Sequence, residues 1–298
     1  MLRLQYGPCC RPVESLRSCL GGRRVSDSSG GAYAMIRWCS YCQAFLGEEP
    51  PFDSLVLTHG ICPACVAKIE AGDELGEALT DTTQPIRDLM NRVFDCARSA
   101  DESSIPLLLA EATAVGLPAA SVLVGLLQPA LYRAGEAWRD GNMSIAAEHR
   151  LTRWCERFFS QLPLQQPPKT PLDLLIFMMP GNTHTLGPRF AAEILAARGI
   201  STQVGAPRLP ISAMVREIQR LRPRMVGLSC ALAASLSAAD ELLIDLAGRI
   251  DRSWPRRFIL GGFAVRGPGR PWNSAAGATV AATPQDVENL VRGLDPLQ

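Results

Sequence analysis

Long apolar runs, net charge and histidine are all scarce in this chain. No stretch approaches the roughly 20 consecutive apolar residues of a membrane-spanning helix, and the N-terminus has no apolar signal-peptide core. No membrane partner is expected, and the expected location is the cytoplasm. Lys and Arg total 30 against 29 Asp and Glu, a net charge of +1. That balance creates no field for nucleic acid or an anionic surface. No Gly-x-Gly-x-x-Gly follows the first strand of the C-terminal half, so a dinucleotide site of that type is not expected. Nor do carboxylates cluster after its strands as a receiver domain needs. Histidine occurs three times, as His59, His149 and His184.

What is present is a chain of 298 residues, 47% hydrophobic, enough for two domains and a small third module. Residues 1–34 hold five arginines against Glu14 and Asp27 and have no sustained period. They read as a disordered N-terminal tail, and Met35 offers an alternative start. The chain has ten cysteines, and in a reducing compartment paired Cys-x-x-Cys spacings favour metal over disulfides. Cys39-Ser40-Tyr41-Cys42 and Cys62-Pro63-Ala64-Cys65 lie about 20 residues apart, the spacing of one tetrahedral zinc held by four thiolates. Residues 35–72 thus read as a four-cysteine, zinc-ribbon-like module with Cys39, Cys42, Cys62 and Cys65 as ligands. A redox dithiol or unligated thiols are the alternatives, and His59 is a substitute ligand. A closed site of this kind is structural.

From Pro85 to Leu162 the apolar residues recur at three and four, in Ile86, Leu89 and Val93 and again in Leu107, Leu108, Ala112 and Val115. The pattern predicts a four-helix bundle over 85–162. Gly116-Leu117-Pro118 starts a helix with proline in its first turn, Asp140-Gly141-Asn142 ends the third helix, and Ser144 caps the fourth. Trp138, Glu148 and His149 then share one end of the bundle. Taken alone, Trp138 reads more readily as a core or rim aromatic and Glu148-His149 as a solvated pair.

After the proline-rich linker Pro163–Pro171, residues 172–298 alternate strand and helix. Strands are predicted up to Met179 or Pro180, at Thr202–Gly205, at Met225–Ser229, at Phe258–Gly262 and at Ala278–Ala282. Five βα units without hairpin signals predict a flavodoxin-like five-stranded parallel sheet covered on both faces. The chain is therefore a multidomain α and α/β protein. His184, Ser229 and Gly261-Gly262 all follow strands, so they lie at the carboxyl edge where ligands bind in such sheets. A histidine there presents imidazole, a common metal ligand, to a crevice. Small residues after the third and fourth strands leave a slot for a long ligand arm.

These residues carry a resemblance. Asn182-Thr183-His184-Thr185-Leu186-Gly187 resembles the Asp-x-His-x-x-Gly signature of the cobalamin-binding Rossmann-like fold. The resemblance implies cobalamin as cofactor and His184 as the lower cobalt ligand, oriented by Asn182. It implies further that Gly187 lets the corrin approach, Ser229 contacts the buried base, and Gly261 and Gly262 line the tail channel. Asn182 departs from the signature. Its amide oxygen orients the ring without the charge that raises donor strength, so a weaker lower ligand is expected.

Trp138, nine residues and then Glu148-His149 resembles the helical cap of CarH-type adenosylcobalamin photoreceptors. In that family the tryptophan and glutamate hold the upper adenosyl group, which implies adenosylcobalamin here, with Trp138, Glu148 and His149 over the upper face. Arg139 stands where the family has a histidine that takes the cobalt after light. Either His149 becomes that ligand or the light state differs. The zinc module stands where the family has its winged-helix domain, so direct DNA binding is not expected.

The resulting expectation is a non-catalytic light sensor and regulator that signals through a protein partner, with homo-oligomer formation left open. The alternative is a corrinoid protein carrying a methyl group for a methyltransferase, which needs an accessible upper face and is disfavoured by the indole. A third reading keeps the fold as a scaffold for haem or for no cofactor.

Overall fold

The computed structural model describes residues 35–41, 45–49, 56–72, 83–163, 171–182, 184–250, 257–266, 274 and 277–294. The tail over 1–34, Cys42, Thr183 and most of the proline-rich linker lie outside the described residues.

The first module is a small sheet and one helix. β1 (Met35–Cys39) lies between β2 (Phe45–Glu49), antiparallel to it, and β3 (Val56–Gly60), parallel to it. Cys62 caps α1 (Pro63–Glu70), its sulfur accepting from the Cys65 N–H.

The helical cap comprises α2 (Thr83–Ser99), α3 (Ile105–Ala114) and the continuous helix Ala119–Arg139, followed by α6 (Ile145–Gln161). The continuous helix has three parts: α4 (Ala119–Val122), a π turn over Leu123–Leu127 and α5 (Gln128–Arg139). Pro118 stands just outside this helix as its N-cap, with extended ψ of 154°, rather than in the first turn as the sequence pattern suggests.

The π turn has a cause in the sequence. In an α-helix residue 129 would donate to the carbonyl of Gly125, but residue 129 is proline and has no N–H. The ladder slips instead, and Gln128 N–H bonds Leu123 O, five residues back.

Ser144 accepts from Ala147 N at 3.2 Å and so caps α6. Trp154, almost fully buried, donates from Nε1 to Asp101 O at 2.8 Å and ties α6 to the α2–α3 corner. Cys155 is buried beside it, and desolvation pushes its thiol up to about 12. With its thiol kept protonated and buried at pH 8, Cys155 should stay unmodified by iodoacetamide in the folded chain and react only after unfolding, as read by peptide mass.

The C-terminal part is a three-layer α/β/α unit. Its strands are β4 (Leu174–Met178), β5 (Thr202–Val204), β6 (Met225–Ser229), β7 (Arg257–Gly261) and β8 (Thr279–Ala281). They are all parallel, in the order β5-β4-β6-β7-β8. The covering helices are α7 (Leu186–Ala197), α8 (Ile211–Leu221), α9 (Leu236–Arg249) and α10 (Pro284–Arg292). β4 is buried along its whole length, as a central strand covered on both faces requires. The flavodoxin-like parallel sheet expected from the sequence is therefore the observed one: β6 has the expected bounds, β7 begins and ends one residue earlier, β4 and β5 end before the expected residue, and β8 is one residue shorter at each end.

Two features join the parts. Leu186, Phe190 and Ile194 of α7 belong to the cap's core rather than the sheet's, with Phe159 and Phe190 rings 5.2 Å apart. Trp38 of β1 is 1% exposed and also sits in the cap core. A Cβ on Gly125 would lie 2.0 Å from its ring. Burying an indole removes roughly 150–250 Å² from water, about 4–6 kcal/mol of docking free energy at about 25 cal/mol/Å². Among the described residues no single helix is long and apolar enough to cross a membrane.

Candidate functional site

Strand order reverses between β4 and β6: the chain leaves β4 for β5 on one side and returns to β6 on the other. The crevice outside their carboxyl ends is where such sheets bind ligands. Met178 and Ser229 pair at that end, and Met179 N–H donates to Ser229 O at 3.2 Å.

The loop after β4 is built to present His184. Pro180 and Gly181 occupy the centre of a tight turn closed by Asn182 N–H to Met179 O at 2.9 Å, with Gly181 at φ +81°. This is the type II geometry that places proline first and glycine second. Asn182 then folds its side chain over the next turn. Its Oδ1 accepts from His184 N at 2.9 Å and lies 2.7 Å from His184 Nδ1. A backbone N–H can only donate, so the atom it meets is the amide oxygen. His184 Nδ1 therefore carries the proton, and the lone pair belongs to Nε2 on an exposed ring. Among the described residues, Asn182 Nδ2 is buried with no hydrogen-bond partner.

Gly187 is the second residue of α7, and a Cβ there would meet nothing within 4 Å. A flat group can thus approach the backbone beside His184, so the residues present fit a metal-centred macrocycle ligated from one face. Gly261 and Gly262 behave differently. A Cβ on Gly261 would stand 3.1 Å from Ala281 O, and one on Gly262 only 2.4 Å from Cys230 O. Their smallness is taken up by strand and loop backbones packing together. Ser229 pairs with Gly261 in register, and its side chain is half-buried.

The cap reaches the same edge. Tyr132 of α5 stacks on Phe263, just after β7, with ring centroids 5.0 Å apart. Arg266 donates from Nη1 to Tyr132 Oη at 2.6 Å and from Nε to Ala282 O at 2.8 Å, bridging cap and sheet. Trp138 lies six residues further along α5, about 9 Å up the helix axis, and is 49% exposed. The turn Asp140–Ser144, with Gly141 at φ +76°, brings α6 back. Glu148, in its first turn, is mostly covered; its Oε1 accepts from Thr152 at 2.8 Å and its Oε2 lies 3.5 Å from His149 Nε2. His149 is exposed, and Arg139 lies against Asp140 at 3.4 Å. Trp138, Glu148 and His149 do share one end of the bundle.

The second cluster is that of the cysteines. The sulfurs of Cys39, Cys62 and Cys65 lie within 4.8 Å of one another and are buried. Cys62 N–H donates to Cys39 Sγ at 3.4 Å and Cys65 N–H to Cys62 Sγ at 3.3 Å. Such N–H groups offset thiolate charge, and the arrangement can hold a metal ion. Cys42 and the His59 side chain are outside the described residues.

Sequence reasoning missed Tyr132, Phe263 and Arg266, which have no local signature, and the docking of Trp38. A glycine among the buried apolar residues Val122–Leu127 was the available signal for the latter, since an isolated helical glycine often marks a close approach.

Residues 89–162, from within α2 to the end of α6, match the family model described as the B12 binding domain. The chain is 27% identical over 150 residues to the HTH-type transcriptional repressor CarH of Myxococcus xanthus, covering 50% of this chain and 50% of that protein. It thus spans about half the length of that curated relative. The monomethylamine corrinoid protein of Methanosarcina barkeri shares the fold, with a TM-score of 0.59 at 17% identity over 70% of this chain and 99% of that one. The matched domain, with the fold that surrounds His184, supports a cobalamin-binding protein.

Proposed function

We propose that this chain is an adenosylcobalamin-dependent light sensor, a cytoplasmic and non-catalytic regulator that passes its signal to a protein partner. The observation that carries the reading is the 2.7 Å contact of Asn182 Oδ1 with His184 Nδ1, which reserves Nε2 for a metal at the sheet's carboxyl edge. When bound, adenosylcobalamin supplies a cobalt–carbon bond that light cleaves. His184 would supply Nε2 to the cobalt, and Gly187 would leave room for the ring beside the loop backbone. Trp138 and Glu148, the latter restrained by Thr152, would hold the adenosyl group. An indole in that position keeps a methyl donor away, which favours sensing over methyl carriage. Loss of the adenosyl group would leave Trp138 without that contact and let α5 shift on Tyr132 and Arg266, changing the surface offered to a partner. Cys39, Cys42, Cys62 and Cys65 hold zinc, which organises the N-terminal module.

The test is reconstitution in the dark with adenosylcobalamin followed by green light. The visible spectrum should change, and Trp138→Ala should lower affinity for the adenosyl form more than for hydroxocobalamin. An unchanged spectrum, with methyl transfer from bound methylcobalamin to a thiol, would select the carrier reading instead.

A further inference from the structure

The cysteine cluster and the cobalamin edge are at opposite ends of one mechanical path. Cys39 and Trp38 are adjacent in β1, so a sulfur held by metal restrains the backbone that carries the indole. Trp38 is 1% exposed inside the cap core, and its ring fills the place where Gly125 lacks a side chain. Gly125 is the centre of the π turn, the one segment of Ala119–Arg139 where the regular ladder is broken. The next residues form α5, which carries Tyr132 to Phe263 and Arg266 and carries Trp138 to the end of the bundle. A π turn is a local weak point in a helix, so the direction of α5 depends on what packs against that turn.

We propose that the cysteine module is a metal-gated wedge. With metal bound, Trp38 is held in the Gly125 notch and α5 is fixed in the position that grips cobalamin. Without metal the sulfurs separate, the indole loses its anchor, and α5 moves more freely. Metal occupancy thereby sets cobalamin affinity from a site that touches no part of the cofactor. The proposal rests on the cobalamin reading above for its second readout but not for its first.

The first readout is amide hydrogen exchange in the full chain, without cobalamin, before and after metal removal with a chelator under reducing conditions. Exchange across residues 123–139 should rise at least tenfold and return when zinc is added back. The second is dark titration with adenosylcobalamin, in which metal removal should weaken binding at least tenfold. Trp38→Leu should retain metal, bind cobalamin as weakly as the metal-free protein, and no longer respond to chelation. Should that variant fail to fold, Gly125→Ala provides the same test from the other side, because its methyl expels the indole while leaving every cysteine intact. Exchange and affinity that ignore metal removal overturn the proposal, as does a chain that takes up no metal. A chain that binds metal but no cobalamin overturns the cobalamin reading, and the exchange result then decides the wedge by itself.

Discussion

His184→Ala, reconstituted with cobalamin and desalted, should come off the column nearly colourless, with affinity lower by about 100-fold or more. Loss of an outer-shell partner alone costs a metal site about 10–100-fold, and here the ligand itself is removed. The substitution should barely affect folding, because the ring is exposed and its polar contacts are with Asn182. A melting curve unchanged within a few degrees would separate lost ligation from lost structure. Asn182→Ala should reproduce about 10–100-fold of the effect by leaving the imidazole unoriented. Asn182→Asp should act in the opposite sense: a carboxylate in the same contact makes His184 a stronger donor and tightens binding. Absorbance titration orders the three variants, and an alanine at 184 that binds as well as the parent would exclude this histidine as the lower ligand.

Much of this site was legible in the sequence because its parts are local. Pro180-Gly181 specifies its own turn, Asn182 reaches only two residues to His184, and the buried run Leu174–Met178 can lie only in a covered strand. Trp138, Glu148 and His149 are separated by one tight turn, so helical periodicity places them together. What was not legible joins distant segments. Arg266 finds Tyr132 across 134 residues, and nothing near either residue announces the other. α7 reads as an ordinary amphipathic helix of the sheet domain, yet Leu186, Phe190 and Ile194 are claimed by the cap. Periodicity shows that a helix has an apolar face; it does not show which core takes that face. The consequence is functional, since the helix gripped by the cap begins two residues after His184. The cap is therefore packed against the helix that follows the His184 loop, and through Tyr132 against the segment after β7.

The two kinds of glycine at this edge lead to a second large effect. Gly262→Ala should destabilise the chain by about 3 kcal/mol or more, the sum of a forbidden backbone conformation and a backbone clash. Gly262 sits at φ +103° and ψ −179°, a region open essentially only to glycine. Its added methyl would lie 2.4 Å from Cys230 O and 2.9 Å from Cys230 N. Neither neighbour is a flexible side-chain end, so relief requires moving the β6 or β7 loop and, with the latter, Phe263 away from Tyr132. Cobalamin binding should fall as a result of unfolding, in step with the urea midpoint. Gly187→Ala should separate these quantities. A methyl there meets no atom within 4 Å, and alanine suits a helix better than glycine by up to about 1 kcal/mol. Stability should hold or rise while cobalamin affinity drops, because the methyl occupies space that the corrin needs. A Gly187→Ala chain with undiminished affinity would place the corrin elsewhere than over this loop, whatever the fate of Gly262.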